Sequence, residues 1–261
     1  MTYIPKRWIQ KSIDKNIVRE ISDKLNLSLA TATVLVNRGI NSVKAADVFL
    51  NPNFFDLENP FLLPDMEKAV VRLRKAVDNK EKVLIYGDRD VDGVTAVCVM
   101  YYTLKSLGLT PMWYIPSEEG YGMHKDAVER FATDGVKLIV TVDCGISNFD
   151  EISFAKQKGI DVIVTDHHEP QEKIPEDAVA VINPKRKDSQ CSFPDLAGCA
   201  VALKVAEGLV MSYEKYFNKE LIVVDIETTG LHPLFDEIVE IAAVKTKNFV
   251  PIDKFYSLIK S

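Results

Sequence analysis

Hydrophobic and polar positions along this chain follow two different periods. Up to about residue 80 the apolar residues recur at helical spacing. Ile17, Ile21 and Leu25 share one face, Thr31–Arg38 forms a second helix ending at Gly39, Ser42 caps a third running to Leu50, and Met66–Val77 is amphipathic. Between them, Asn51–Asp65 is rich in Pro, Asn and Phe and reads as an ordered loop packed by its aromatics. From Val83 the pattern changes to short apolar runs alternating with helices. The strands are Val83–Tyr86, Met112–Ile115, Lys137–Val142, Asp161–Thr165 and Val179–Ile182. The helices are Val94–Leu107, Lys125–Thr133, a segment capped by Ser147 that runs to Lys158, and Leu196–Met211. Strands alternating with helices of this length predict βαβ units and a parallel sheet.

A further boundary falls at Tyr213–Glu220. Beyond it, Leu221–Val224 and Glu237–Thr246 are strand-like and look like the opening of a second α/β unit. Some 40 residues do not easily build a core of their own.

Composition narrows the class. The chain has 261 residues, 47% hydrophobic and 27% charged, as a globular protein with a proper core requires, and the net charge of -6 gives no global basic surface. Nucleic-acid contact would therefore use a local patch or metal-bridged phosphates. The four cysteines, Cys98, Cys144, Cys191 and Cys199, form no CxxC pair, so a zinc ribbon is not expected; Cys98 and Cys199 sit in apolar helical runs and read as core. The amino-terminal MTYIPKRWIQ lacks the apolar centre of a signal peptide, and no run reaches the roughly 18 apolar residues of a membrane span. The expectation is a cytoplasmic protein without membrane contact.

Candidate chemistry lies where strands end. Asp88, Asp90 and Asp92 follow the first strand, Asp143 follows Lys137–Val142, and Asp166, His167 and His168 follow Asp161–Thr165. A lone aspartate at a strand end is ordinarily a helix cap or turn residue, and an adjacent histidine pair is ordinarily solvated. Here parallel strands bring all three loops to one sheet edge, where open α/β sheets bind ligands. Clustered carboxylates repel one another unless a cation lies between them. Carboxylates with imidazole suit Mn²⁺ or Mg²⁺, with room for two ions, and the expected chemistry is hydrolytic phosphoryl transfer.

GDRDVDG, TVDCGIS and VTDHH, in that order, resemble the first three motifs of the DHH phosphoesterase superfamily. The leading helices, LNPNFFDLENPFLLPDM and LAGCAVALKVAEGL narrow the resemblance to the RecJ single-strand-specific exonucleases, over roughly residues 1–215. The resemblance implies a Mn²⁺- or Mg²⁺-dependent 5′–3′ exonuclease acting on single-stranded DNA in repair or recombination, with a single-strand-binding protein as a conceivable partner and the oligomeric state open. It implies metal ligation by Asp90, Asp92, Asp143 and His167, with Asp88 in the same acidic loop as a further ligand or orienting group. His168 then contacts the scissile phosphate, and Asp166 holds a histidine in its ligating tautomer. Ile115–Met123 matches a loop at the DNA entrance in which Glu118 replaces the usual arginine; His124 and Lys125 are candidates for the DNA path. Two parts of the family pattern have no match, the fourth motif with its metal-ligating aspartate and the Gly-rich carboxy-terminal domain.

Leu221–Val244 resembles instead the start of a DnaQ-like exonuclease, with Asp225 and Glu227 matching the two metal-binding carboxylates of its first motif. The later motifs of that family are not matched. The expected fold class is thus α/β: a helical segment 1–80, a parallel-sheet DHH phosphoesterase domain 81–215, and a partial RNase H-like exonuclease unit 216–261. The expected whole is an exonuclease in a partial form, with the polypeptide truncated or continuing past Ser261. The rival expectations are a catalytically incomplete nucleic-acid-binding fragment and a DHH phosphodiesterase acting on short oligonucleotides or cyclic dinucleotides.

Overall fold

Val83–Gly87 (β1) is buried along its whole length, and its alternate residues face two different cores. Val83 and Ile85 point to one side, Leu84 and Tyr86 to the other, as the period of a strand demands. The same division holds in Leu138–Val142 (β3) and Asp161–Thr165 (β4). With Met112–Tyr114 (β2) and Ala180–Ile182 (β5), these strands form an all-parallel sheet in the order β2-β1-β3-β4-β5. The computed structural model describes residues 12–53, 57–117, 120–230, 232 and 234–259.

Helices cover both faces, which is why the strands read as continuous apolar runs. On one side lie Met66–Asp78 (α4), Val91–Ser106 (α5) and Gly198–Met211 (α8), meeting the sheet through Met66, Leu73, Met100, Leu104, Val205 and Leu209. On the other lie Lys125–Thr133 (α6) and Phe149–Gln157 (α7), packed through Val128, Phe131, Ile152 and Ala155. Burying each such side chain is worth about 1.5–3 kcal/mol relative to exposure. The chain leaves β1 for β2 on one flank and returns to β3 on the other. The carboxyl ends of β1 and β3 therefore flank the switch point where such sheets bind ligands.

The compact units are Met1–Glu58 and Asn59–Ser261. The first holds Lys15–Lys24 (α1), Leu29–Asn37 (α2) and Val43–Leu50 (α3), capped by Asp14, Ser28 and Ser42, around Ile21, Ala32, Leu35 and Ala46. The division falls at Glu58 rather than near residue 80, because α4 buries its apolar face in the sheet's core. The Ser147 cap is replaced by Asn148, whose side chain accepts from Met123 N (3.1 Å) instead of capping its own helix. Cys98 is exposed and Cys199 half-buried, so the buried cysteine is Cys144.

The tail forms a second sheet, the antiparallel meander Glu220–Thr228 (β6), Ile238–Lys247 (β7) and Val250–Leu258 (β8). It is anchored at the β7–β8 turn, where the Asn248 carbonyl accepts from Asn59 Nδ2 (3.2 Å) and Asn248 Oδ1 from Asn218 N (2.9 Å). No described helix is long and apolar enough to cross a membrane.

Candidate metal centre

The site is assembled from the ends of three neighbouring strands. After β1, Gly87 admits the close approach of α5, since a β-carbon there would run into the Val97 side chain. Asp88 follows, 8% exposed, with its Oδ1 buried and without a hydrogen-bond partner. Asp90 caps α5, its Oδ1 accepting from Gly93 N at 2.9 Å. The helix thus starts at Val91, three residues before the expected Val94, and Asp92 belongs to its first turn rather than to the loop.

Asp143 follows β3 in the left-handed region, φ 59°, where aspartate is among the few non-glycine residues found with any frequency. The turn is fixed by Asp143 N donating to Thr165 O (3.0 Å) and Thr141 Oγ1 donating to Cys144 O (2.8 Å). The residue is 1% exposed, and its Oδ1 lacks a hydrogen bond although His167 Nε2 stands 3.1 Å away. Burial, reinforced by the Asp92 and Asp90 charges, pushes the Asp143 carboxyl up to about 7.

After β4, Asp166 is fully buried and receives four donors: Ile146 N (2.9 Å), His167 N (2.7 Å), His168 N (3.1 Å) and His168 Nδ1 (2.7 Å). Burial alone would raise its pKa, but these hydrogen bonds bring it below the ordinary value. The same bond raises His168. The Nδ1 of His167 is held by a different acceptor, the Leu196 carbonyl at 3.0 Å. Both rings therefore commit Nδ1 and leave Nε2 for a ligand.

Two trios result, Asp88/Asp90/Asp143 and Asp143/His167/His168, with ligand atoms within 4.8 Å of one another in each. They share Asp143. Two buried carboxylate oxygens without partners, set among further carboxylates and imidazoles, fit divalent cations. Asp92 stands beside both trios without belonging to either. Its Oδ2 is 3.8 Å from His167 Nε2, and its two oxygens accept from Gly198 N and Cys199 N, each at 2.7 Å.

The remaining sequence candidates lie elsewhere. His124 occupies the cap position of α6 with Nε2 3.4 Å from Gly120 O, and Lys125 Nζ lies 4.0 Å from Asp150; neither joins the trios. Glu118 lies outside the described residues. Asp225 and Glu227 are inside β6 rather than beyond its end, opposite Ala242 and Glu240, and take part in no metal-competent trio among the described residues.

Sequence reasoning missed Tyr121 and the backbone groups of Leu196, Gly198 and Cys199. Tyr121 donates its hydroxyl to Asp143 O (3.3 Å), and the same oxygen lies 3.1 Å from His168 Nδ1. Burial, with the surrounding carboxylates, holds that phenol far above its ordinary value, so it stays protonated. The Leu196 carbonyl and the Gly198 amide act through the backbone. Their one trace in the sequence is that α8 opens on Ala197, which cannot cap a helix with its side chain.

Known proteins resemble this chain in two stretches. The model of the DHH family, N-terminal domain, matches residues 82–232, and an exonuclease family model matches residues 222–261. The single-stranded-DNA-specific exonuclease RecJ of Bacillus subtilis (strain 168) is 38% identical over 206 residues, 78% of this chain and 26% of the relative. RecJ of Haemophilus influenzae is 38% identical over 202 residues, 75% of this chain and 33% of the relative. The crystal structure of RecJ in complex with Mn²⁺ from Thermus thermophilus superposes with a TM-score of 0.56 at 26% identity, covering 74% of this chain and 27% of that one. The chain spans about a quarter to a third of the length of these curated relatives. With the family model covering more than half its length and the strand-end motifs assembled into one centre, the chain belongs to the DHH family.

Proposed function

We propose that this centre hydrolyses phosphodiester bonds of single-stranded DNA with Mn²⁺ or Mg²⁺, removing nucleotides from the 5′ end, as part of an exonuclease of DNA repair or recombination. The observation that carries the reading is the pair of buried, partnerless oxygens on Asp88 and Asp143 at the centre of two ligand trios. Asp88, Asp90 and Asp143 would hold one ion, and Asp143 and His167 the other, with Asp92 alongside and His168 left to face the phosphate. Bound ions would supply Lewis-acid neutralisation of the phosphate and a water of lowered pKa.

The chain's own groups do the positioning. Asp166 engages His168 Nδ1 and so leaves Nε2 free, and its charge favours the imidazolium, which suits a group facing a phosphate oxygen. Protonated Tyr121 fixes the Asp143 turn and the His168 ring together. The names of the relatives support the substrate, and the Mn²⁺ in the similar crystal structure supports the ion.

The test is degradation of single-stranded DNA labelled at one end, with Mn²⁺, beside Asp90→Ala and Asp225→Ala. Loss from the 5′ end that requires Asp90 but not Asp225 supports the reading. Mn²⁺ binding without any hydrolysis would leave a nucleic-acid-binding module in its place, and loss from the 3′ end requiring Asp225 would move the activity to the tail.

A further inference from the structure

The amino end of α8 touches the metal centre in three independent ways. The Leu196 carbonyl accepts from His167 Nδ1 at 3.0 Å, which selects the tautomer that leaves Nε2 free. The amides of Gly198 and Cys199 both donate to Asp92, each at 2.7 Å, so the carboxylate of one helix supplies the cap that Ala197 cannot give to the other. Gly198 itself lies against Asp143: a β-carbon built there would stand 2.6 Å from Asp143 Cγ and 2.7 Å from its Cβ. These atoms belong to a buried carboxylate on a fixed turn, which has no room to yield.

We infer that residues 196–199 are a positioning element for the metal centre, with Gly198 the residue whose missing side chain keeps Asp143 and the space before it open. This rests on the reading of the trios as cation sites. It adds a requirement that the ligands alone do not express: the ion geometry is set from α8, through one carbonyl, two amides and one absent methyl group. Partners of this kind around a ligand shell cost about 10–100-fold in metal affinity when removed.

The experiment titrates Mn²⁺ into the full chain and into Gly198→Ala and Gly208→Ala, by calorimetry or electron paramagnetic resonance, with thermal unfolding of each. Gly208 lies on the same helix, where a β-carbon would meet Met66 Sδ at 3.2 Å and Val70 Cγ2 at 3.3 Å, far along α8 from the centre. The expected result is Mn²⁺ affinity about tenfold or more weaker in Gly198→Ala, and unchanged in Gly208→Ala. Equal affinity in Gly198→Ala and wild type overturns the inference, as does an equal loss in both variants, which would mean general damage to α8. No Mn²⁺ binding by the wild type would remove the metal reading itself.

A metal-independent measurement separates the two failures and serves if Gly198→Ala does not fold. In the metal-free chain, ¹⁵N signals of His167 should show one Nδ1–H tautomer. Asp92→Asn turns one of the two acceptors facing α8 into a donor and should mix the tautomers by loosening Leu196. Unchanged His167 signals would overturn the inference.

Discussion

His168 Nδ1 lies 2.7 Å from Asp166 Oδ1, a carboxylate with no solvent exposure. Three backbone amides share that carboxylate, so one buried charge fixes both the turn and the ring. Asp166→Ala would leave the amides of Ile146, His167 and His168 without an acceptor, at a stability cost of about 3 kcal/mol in urea denaturation. Asp166→Asn, which preserves shape, should let His168 titrate closer to the ordinary histidine value of 6.5. Because the native value is raised, the stability that His168 draws from the pair is complete below the ordinary value and fades as pH rises through the raised one. An NMR titration of His168 that does not move in Asp166→Asn would refute this coupling.

Replacing Asp143 should stabilise the metal-free chain rather than weaken it. Its carboxyl is pushed up to about 7 by burial and by Asp92 and Asp90. An acid with a raised native pKa contributes fully below its ordinary value of 3.8 and loses that contribution as pH rises through about 7. The metal-free chain therefore carries a penalty at pH values above about 7. Asp143→Asn removes the titrating charge, so its metal-free form should unfold later than wild type there, by on the order of 2 kcal/mol. Added Mn²⁺ should stabilise the wild type and leave the variant unchanged. A variant less stable than wild type under those conditions would show that Asp143 is held by partners other than a cation.

Much of the sheet and its acidic edge is legible in the sequence, for physical reasons. Buried parallel strands must be apolar throughout, so β1, β3 and β4 announce themselves, and the groups following them must share an edge. What the side-chain pattern could not carry was backbone chemistry. The Leu196 carbonyl and the Gly198 amide leave no side-chain signature, and an amphipathic α4 shows that a face is buried without showing against what. Strand β8, VPIDKFYSL, has a proline and three charged or polar residues among its apolar ones, so it lacks a clear period and emerges only through its pairing with β7. The extension of β6 through Asp225 and Glu227 has the same origin, since β7 continues to offer partners past the apolar run.

Asp65 ties the far end of the sheet to this edge. Its carboxylate accepts from Arg186 Nη1 (2.6 Å), Lys68 Nζ (2.6 Å) and Val181 N (3.3 Å). Nearby, Asn183 Nδ2 donates to the His168 carbonyl at 2.9 Å. Burial works against the Asp65 charge, but Lys68 and Arg186 bring it below the usual carboxylate value. Its contribution is therefore present above 3.8 and lost as pH falls through the lower native value. Asp65→Asn should cost about 2 kcal/mol at neutral pH, where Arg186 is left partly buried and without this partner. Wild type and variant should converge in acid. A difference that persists undiminished in acid would show that the loss is one of packing rather than charge.

The tail sheet presents an apolar face to solvent. On one side of the meander stand Ile222 (66% exposed), Val224 (55%), Ile226 (47%) and Phe255 (56%), and the registers Val224↔Ala243↔Phe255 make them a continuous surface. Apolar patches of this extent on an unpaired sheet promote association, and β6 adds an open edge. The chain should bind a hydrophobic dye and self-associate with rising concentration. Val224→Lys combined with Phe255→Lys should reduce both, while the unfolding midpoint of the parallel-sheet core stays in place, because neither residue contributes to that core. A wild-type chain that stays monodisperse and dye-free at high concentration would contradict the exposure of this face. A fall in core stability in the double variant would show that the meander is held to the parallel sheet by more than the Asn248 turn and the Lys247–Glu67 pair at 3.6 Å.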